Sequence, residues 1–156
     1  MKEHHYLTNI TWTGNTGEGT KTPRSYERDH TIQVEGKPAI PGTSEVSMLG
    51  NKVRYNPEEL LLAALSACHM LVYLYLCSQN KIVVTAYIDK ATGTMQDTPD
   101  GGGHFTEAIL KPEITINGEV ERLLLQQLHQ DANKQCYIAN SCNFPVRHEP
   151  VYFFEG

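Results

Sequence analysis

The sequence predicts an α+β fold in a single domain spanning residues 1–156. The prediction is based on two long helical patterns, at residues 56–77 and 119–137, and on strand-like segments grouped before, between and after them. Strands and helices come in groups and do not alternate one by one, which argues against a regular βαβ repeat. A chain of 156 residues is long enough to bury its own core.

The composition, net charge and cysteine spacing of the chain limit which molecules it is expected to bind and where it is expected to be located. Charged residues make up 20% of the chain and the net charge is −5, which argues against nucleic acid because phosphate binding needs clustered Lys and Arg. No apolar segment typical of a signal peptide follows Met1–His5. The four cysteines are irregularly spaced and form no zinc-binding pattern. We therefore expect a cytoplasmic protein with reduced thiols and no metal.

The N-terminal third has the pattern of a small sheet. Residues 4–13 alternate in the way of a strand with aromatic and β-branched side chains. Residues 31–34 and 37–40 flank Glu35–Gly36 and predict a hairpin, and residues 41–56 predict a loop.

The first helix has a clear start signal. Asn56 suits the N-cap, Pro57 the first helical position, and Glu59 the third position of a capping box. One apolar line follows at a spacing of four residues: Leu60, Ala64, Cys68, Val72 and Leu76. The apolar run approaches membrane-spanning length, but it contains Ser66 and His69, so we predict a buried core helix and no membrane span.

The second half predicts four strand segments and one helix. Residues 82–88 alternate, and residues 91–95 are expected to continue that strand across a bend at Gly93. Residues 105–110 and 113–116 are strand candidates separated by Pro112, and residues 151–154 predict a closing strand. The helix at 119–137 has its own apolar line, formed by Leu124, Leu128, Ala132 and Cys136.

Each long helix thus carries a cysteine on its apolar line, Cys68 in the first and Cys136 in the second. If the helices pack together, the two sulfur atoms lie on the same side of the core. The alternative, favoured by spacing alone, is that both are structural, since cysteine is among the most buried residue types. Cys77 fits that alternative, and it lies about 13 Å along the helix from Cys68, too far for a disulfide.

A reactive Cys68 would need a positive charge from another segment. Its neighbours along the helix are apolar, and apolar surroundings disfavour a thiolate. His69 points elsewhere, because adjacent helical residues do not face each other, so we interpret it as a packing or surface residue. The candidate cations are Arg24, Arg28 and Arg54.

Two segments resemble the OsmC/Ohr family of osmotically inducible and organic hydroperoxide resistance proteins. They are NPEELLLAALSAC, residues 56–68, and ANKQCYIANS, residues 132–141. The resemblance implies antiparallel sheets packed around two long buried helices in an intertwined homodimer. It also implies a thiol-dependent peroxidase of the stress response that acts on organic hydroperoxides without a metal or an organic cofactor.

The resemblance assigns roles to individual residues. Cys68 matches the peroxidatic cysteine, and Cys136 matches the resolving cysteine that forms a disulfide with it. Glu58 matches a glutamate that orients an arginine beside the thiolate. Arg28 is our first choice for that arginine and Arg24 the second. A dithiol reductant, a dihydrolipoyl or thioredoxin-like protein, would restore the thiols.

Helix geometry adds a condition to these roles. Glu58 and Cys68 are about 15 Å apart along one helix, so the glutamate and its arginine would have to come from a second subunit.

The chain departs from the family at Tyr137, where proline is usual, and at the CHM segment, residues 68–70. Cys142 is a competing resolving thiol. There are two alternative functions. The protein could be a non-catalytic dimer that binds an apolar small molecule, or it could be a thiol redox sensor.

Overall fold

The computed structural model describes residues 1–156, which divide into two compact units, Met1–Leu60 and Leu61–Gly156. The N-terminal unit contains an antiparallel sheet of β1 (Asn9–Trp12), β2 (His30–Gln33) and β3 (Ile40–Gly42). The predicted hairpin is confirmed, because Ile32 pairs with Ile40. Gly36 occupies its turn with a φ of 75°, a conformation that favours glycine. β1 is shorter than the predicted strand at residues 4–13. The prediction of one domain over residues 1–156 stays a prediction.

Arg54 stabilises the end of this sheet. Its guanidinium donates hydrogen bonds to the carbonyls of Gly42 (2.9 Å) and His30 (2.7 Å), and it lies 3.6 Å from the carboxylate of Asp29. The two hydrogen bonds use two of the five N–H donors of the guanidinium. Arg54 therefore has a structural role in the N-terminal unit.

The first long helix, α1 (Pro57–Gln79), begins where the sequence predicts. Asn56 Oδ1 accepts a hydrogen bond from the Glu59 backbone N–H (2.8 Å), and Glu59 Oε2 accepts one from the Asn56 N–H (3.1 Å). This reciprocal pair is the predicted capping box, and it satisfies two backbone donors at the helix start.

The buried line of α1 differs from the predicted line by one residue. Its buried side chains are Leu65, His69, Tyr73 and Cys77, whereas Cys68 is half-buried. The error arose because α1 is apolar around most of its circumference, so the pattern did not single out one face. By length and composition α1 could cross a membrane, and 22% of its most apolar window is buried within the chain. The core helix of a soluble protein can meet the same criteria of length and composition, although it is usually mostly buried.

Two three-stranded sheets form in the C-terminal unit. The first has the order β4 (Val83–Asp89), β7 (Pro112–Asn117), β9 (Val151–Glu155), and the second has the order β5 (Thr92–Asp97), β6 (Gly103–Leu110), β8 (Val146–His148). In each sheet the first pair is antiparallel and the second is parallel. The sheets are therefore mixed, and β8 is a strand that the sequence pattern did not indicate.

The predicted continuation of residues 82–88 into 91–95 is wrong, since β4 and β5 belong to different sheets. Asp89 marks the break. Its carboxylate accepts hydrogen bonds from the Lys111 backbone N–H (2.7 Å) and from the Ser66 hydroxyl. These bonds hold the chain at the point where it leaves the first sheet.

The second long helix, α2 (Arg122–Gln135), is shorter than predicted at both ends, and a single-turn helix, α3 (Tyr137–Asn140), follows it. Cys136 therefore lies between two helices, with an extended backbone at φ −74° and ψ 110°. The core of this unit contains residues from α1, α2 and β7 and the residue just before β4: Tyr73, Cys77, Ile82, Ile114, Ile116, Leu125, Leu128 and Ala132.

Candidate active site

Cys68 and Cys136 are brought together in the C-terminal unit, the outcome expected if the two helical segments pack together. Cys68 is half-buried on α1, and Cys136, after α2, is fully buried. Their thiols interact closely enough that Cys68 affects the ionisation of Cys136. Both cysteines are free thiols. The pair therefore combines one half-buried cysteine with one that is fully buried.

Cys136 is held as a neutral thiol. Burial, reinforced by the neighbouring Cys68 thiol, raises the pKa of Cys136 to about 11. Its sulfur also accepts a hydrogen bond from the Ala139 N–H at 3.4 Å, which makes it the N-cap of α3. The interruption between α2 and α3 fixes the position of this sulfur, because the chain is extended at residue 136 and helical on both sides.

The other two cysteines have different surroundings. Cys77 is buried in the core, and burial raises its pKa, as expected for the structural thiol that the sequence predicted. Cys142 is half-buried, and burial raises its pKa as well. Its backbone N–H donates to the Ala139 carbonyl (3.2 Å), which places it directly after α3.

The predicted activating residues lie in the N-terminal unit. Arg28 is half-buried; its Nη1 donates to the Tyr26 carbonyl (2.7 Å), and its guanidinium lies 4.1 Å from the centre of the Tyr26 ring. Arg24 is exposed and forms no ion pair. Glu58 Oε2 is buried without a hydrogen-bond partner, so no bond joins it to Arg28. A buried carboxylate oxygen normally has a donor, and this one has none within the chain.

The sequence did not predict that three histidine rings meet in the core: His69 from α1, His129 from α2 and His148 from β8. His69 Nε2 lies 2.9 Å from His129 Nδ1, and the rings of His69 and His148 stack at 4.2 Å. Burial, reinforced by the neighbouring histidines, lowers the pKa of both His69 and His129 to about 3. His69 is therefore a buried packing residue, one of the two roles that the sequence suggested for it.

A tyrosine cluster continues the histidine cluster. The ring of Tyr73 stacks on His129 at 3.9 Å, and Tyr87 and Tyr152 lie beside them. Burial raises the pKa of Tyr152 to about 12 and also raises that of Tyr73. One signal could have indicated this cluster: His69 and Tyr73 are four residues apart and so share a face of α1.

The family profile for OsmC-like protein matches residues 50–150. The chain belongs to the OsmC-like protein family. An OsmC-like protein of unknown function from Vibrio cholerae has 30% sequence identity to it, with a TM-score of 0.84 over 97% of this chain and 100% of that one. The resemblance found in the two cysteine segments is thus confirmed at the level of the family.

More distant OsmC-like structures share the fold. An organic hydroperoxide resistance protein from Elizabethkingia anophelis, solved with bound thiocyanate, has 20% identity and a TM-score of 0.72, covering 97% of this chain and 100% of that chain. An OsmC-like protein from Mycoplasma pneumoniae has 13% identity and a TM-score of 0.72, covering 99% and 100%. No functionally curated protein sequence matches this OsmC-like protein. These structures confirm the α+β fold class.

Proposed function

We propose that this OsmC-like protein is a two-cysteine peroxidase that reduces organic hydroperoxides to alcohols. The observation that supports it most is the pairing of a half-buried Cys68 with a buried Cys136. An oxidant can approach the first sulfur, while the second is protected from direct oxidation. The name of the Elizabethkingia relative is consistent with this activity.

In the first step the Cys68 thiolate attacks the terminal oxygen of the hydroperoxide and the O–O bond breaks. The departing alkoxide takes up a proton to become the alcohol, and Cys68 becomes a sulfenic acid. In the second step the sulfur of Cys136 attacks the sulfur of Cys68. A disulfide forms, and the hydroxyl group leaves as water with the proton of the Cys136 thiol.

The cycle closes when an external dithiol reduces the disulfide by thiol exchange and becomes oxidised itself. A dihydrolipoyl or a thioredoxin-like protein has the required chemistry. Reduced thiols are maintained in the cytoplasm, which is the compartment we propose. All the chemistry is carried by sulfur, so the proposal needs no metal or organic cofactor.

Arg28 and Glu58 are the proposed activating pair. A guanidinium beside Cys68 would favour the thiolate, and a carboxylate would orient the guanidinium. The unpartnered Glu58 Oε2 supports this role, since it can accept such a donor. Because Glu58 and Cys68 are about 15 Å apart along α1, we propose that the pair serves the Cys68 of a partner subunit.

Exposed apolar side chains support a homodimer. Leu71 and Tyr75, on the outer side of α1, are 63% and 59% exposed in the single chain. In the N-terminal unit all of β1 is exposed, including Ile10 and Trp12. Exposed apolar side chains on each of the two units are the kind of surface that a protein interface covers.

Steady-state turnover tests the peroxidase. We expect consumption of tert-butyl hydroperoxide with dihydrolipoamide as donor, and slower consumption of hydrogen peroxide. Cys68→Ser should abolish turnover while Cys142→Ser, the matched control, retains it. Full activity in Cys68→Ser would refute the mechanism. A wild type that forms the disulfide once without sustained turnover would indicate a redox sensor instead.

Mixing two inactive variants tests the shared site. Cys68→Ser and Glu58→Gln should each be inactive, but a heterodimer would contain one intact site if Glu58 acts across the interface. Random mixing should then restore roughly a quarter of wild-type turnover. No recovery in a mixture shown by mass spectrometry to contain heterodimers would mean that Glu58 does not act in trans.

A further inference from the structure

The bond between His69 Nε2 and His129 Nδ1 is the only hydrogen bond that joins α1 to α2, and no ion pair connects the two helices. The other residues that these helices contribute to the core are apolar or aromatic. Apolar contact has no preferred direction, whereas a hydrogen bond weakens steeply when it is misaligned. The histidine bond is therefore the contact that fixes the register of α2 against α1.

The same two segments carry the cysteines. His69 directly follows Cys68 on α1, and His129 lies seven residues, or about two helical turns, before Cys136. The two segments thus meet at two points: the rings at 2.9 Å, and the thiols of Cys68 and Cys136. A change of register at the first point would move the sulfur of Cys136 at the second.

The histidine bond is itself held from both sides. The ring of His148, from β8, stacks on His69 at 4.2 Å, and the ring of Tyr73, from α1, stacks on His129 at 3.9 Å. His69 and His129 are 1% and 3% exposed, so water does not compete for their bond. Both rings are neutral, because burial lowers the pKa of each to about 3, so one facing nitrogen carries a proton and the other accepts it.

Disulfide chemistry is sensitive to such a register. The two Cβ atoms of a disulfide lie only about 3.5–4.5 Å apart, and a displacement of about 1 Å can slow a reaction between positioned groups strongly. We propose that His69 and His129 are positioning residues, whose hydrogen bond holds α2 where the sulfur of Cys136 can attack that of Cys68. This rests on the proposed peroxidase, whose second step it concerns. Neither histidine has to touch the peroxide.

Thiol exchange with glutathione tests the positioning without any hydroperoxide. The full-length protein with Cys142→Ser, which removes a competing thiol, is equilibrated with mixtures of reduced and oxidised glutathione. Oxidised glutathione takes two electrons from Cys68 and Cys136, so that their disulfide forms and two reduced glutathione molecules are released. Mass spectrometry after thiol trapping gives the equilibrium constant, which is the effective concentration of one thiol at the other.

Histidine variants in this background remove or keep the bond. His69→Leu combined with His129→Leu removes both partners, so no buried group is left unpaired and the fold should survive. The effective concentration should then fall roughly three- to tenfold. His69→Gln and His129→Asn each place an amide near the bonded ring nitrogen and should keep most of the original value. The matched control is Ile116→Val, which alters a fully buried residue of β7 and should leave the value unchanged.

A measurement with the histidines intact covers a leucine variant that fails to fold. If the bond favours the disulfide, the disulfide must favour the bond by the same factor. The ring nitrogen signals of His129, which is about two turns from Cys136, should therefore shift in NMR spectra when the disulfide forms. Those of His30, in the N-terminal unit, should not.

Any of four results would overturn the proposal. They are an unchanged effective concentration in a folded leucine variant, an equal fall in Ile116→Val, no shift at His129, and no Cys68–Cys136 disulfide at all in glutathione. A protein that gives the expected results but consumes no hydroperoxide would fail only as a peroxidase, and the positioning role would stand.

Discussion

The side chains of His69 and His129 connect α1 and α2 through a buried hydrogen bond of 2.9 Å between Nε2 and Nδ1. The ring of His148 stacks on His69, and that of Tyr73 stacks on His129. Burial holds the pKa of both bonded histidines at about 3, so the rings are neutral at physiological pH. The core therefore depends on two groups that acid would charge.

We expect the protein to lose stability as the pH falls below about 6.5. The unfolded histidines bind protons near pH 6.5, while the folded His69 and His129 resist protonation down to about pH 3. The unfolded state therefore binds more protons in this interval, and the free energy of unfolding falls with decreasing pH. Two protons give a slope of up to about 2.7 kcal/mol per pH unit. Urea unfolding at several pH values between 7.5 and 4 measures it.

Histidine variants identify the source of that slope. His129→Gln should flatten the dependence of unfolding free energy on pH, whatever its effect at pH 7.5, because one depressed titration is removed. The exposed His104 provides the matched control, and His104→Gln should keep the wild-type slope. An unchanged slope in His129→Gln would mean that other groups, such as His148 beside Asp89, cause the acid sensitivity.

Cys136→Ser should allow the sulfenic acid on Cys68 to accumulate after one equivalent of hydroperoxide. The resolving sulfur is then absent, so dimedone should label Cys68 far more than in the wild type. Mass spectrometry of the labelled peptide measures the effect. Cys142→Ser is the control, and accumulation in that variant alone would assign the resolving role to Cys142.

Arg28→Ala should shift alkylation of Cys68 to higher pH, because the thiolate loses a stabilising positive charge. The rate of iodoacetamide labelling as a function of pH measures the shift, and Arg24→Ala is the parallel variant. A shift in Arg24→Ala alone would transfer the activating role to Arg24. If neither variant shifted the pH dependence, neither Arg24 nor Arg28 would be the residue that stabilises the Cys68 thiolate.

Leu125→Ala should reduce the free energy of unfolding by about 2–5 kcal/mol, because it leaves a cavity in the core. Leu125 is 0% exposed, whereas Leu123 on the same helix is 70% exposed. Leu123→Ala should therefore change stability by no more than about 0.5 kcal/mol. Urea unfolding of both variants checks the assignment of the inner face of α2. Equal losses would contradict it.

Features that depend on neighbours in sequence were predictable. The start of α1 follows from Asn56 and Glu59, whose side chains bond to backbone groups three residues away. The hairpin turn at Gly36 follows in the same way, because it needs a residue that tolerates a positive φ. The proximity of Cys68 and Cys136 was expected only on the condition that the two helical segments pack together, and the two family-like segments assigned them as a pair.

Other features depended on contacts between distant segments. The inner face of α1 could not be identified from an almost uniformly apolar helix, and the break at Asp89 depends on bonds to Ser66 and Lys111. The histidine cluster likewise needs α1, α2 and β8 to meet.

The sequence by itself therefore determined the α+β class and the start of α1, because local bonding and periodicity encode them, and its two family-like segments singled out Cys68 and Cys136. Only the tertiary structure decided which side of α1 is buried, that Cys136 lies between two helices, and that three histidine rings meet. Those outcomes depend on burial, which is a property of the packed chain.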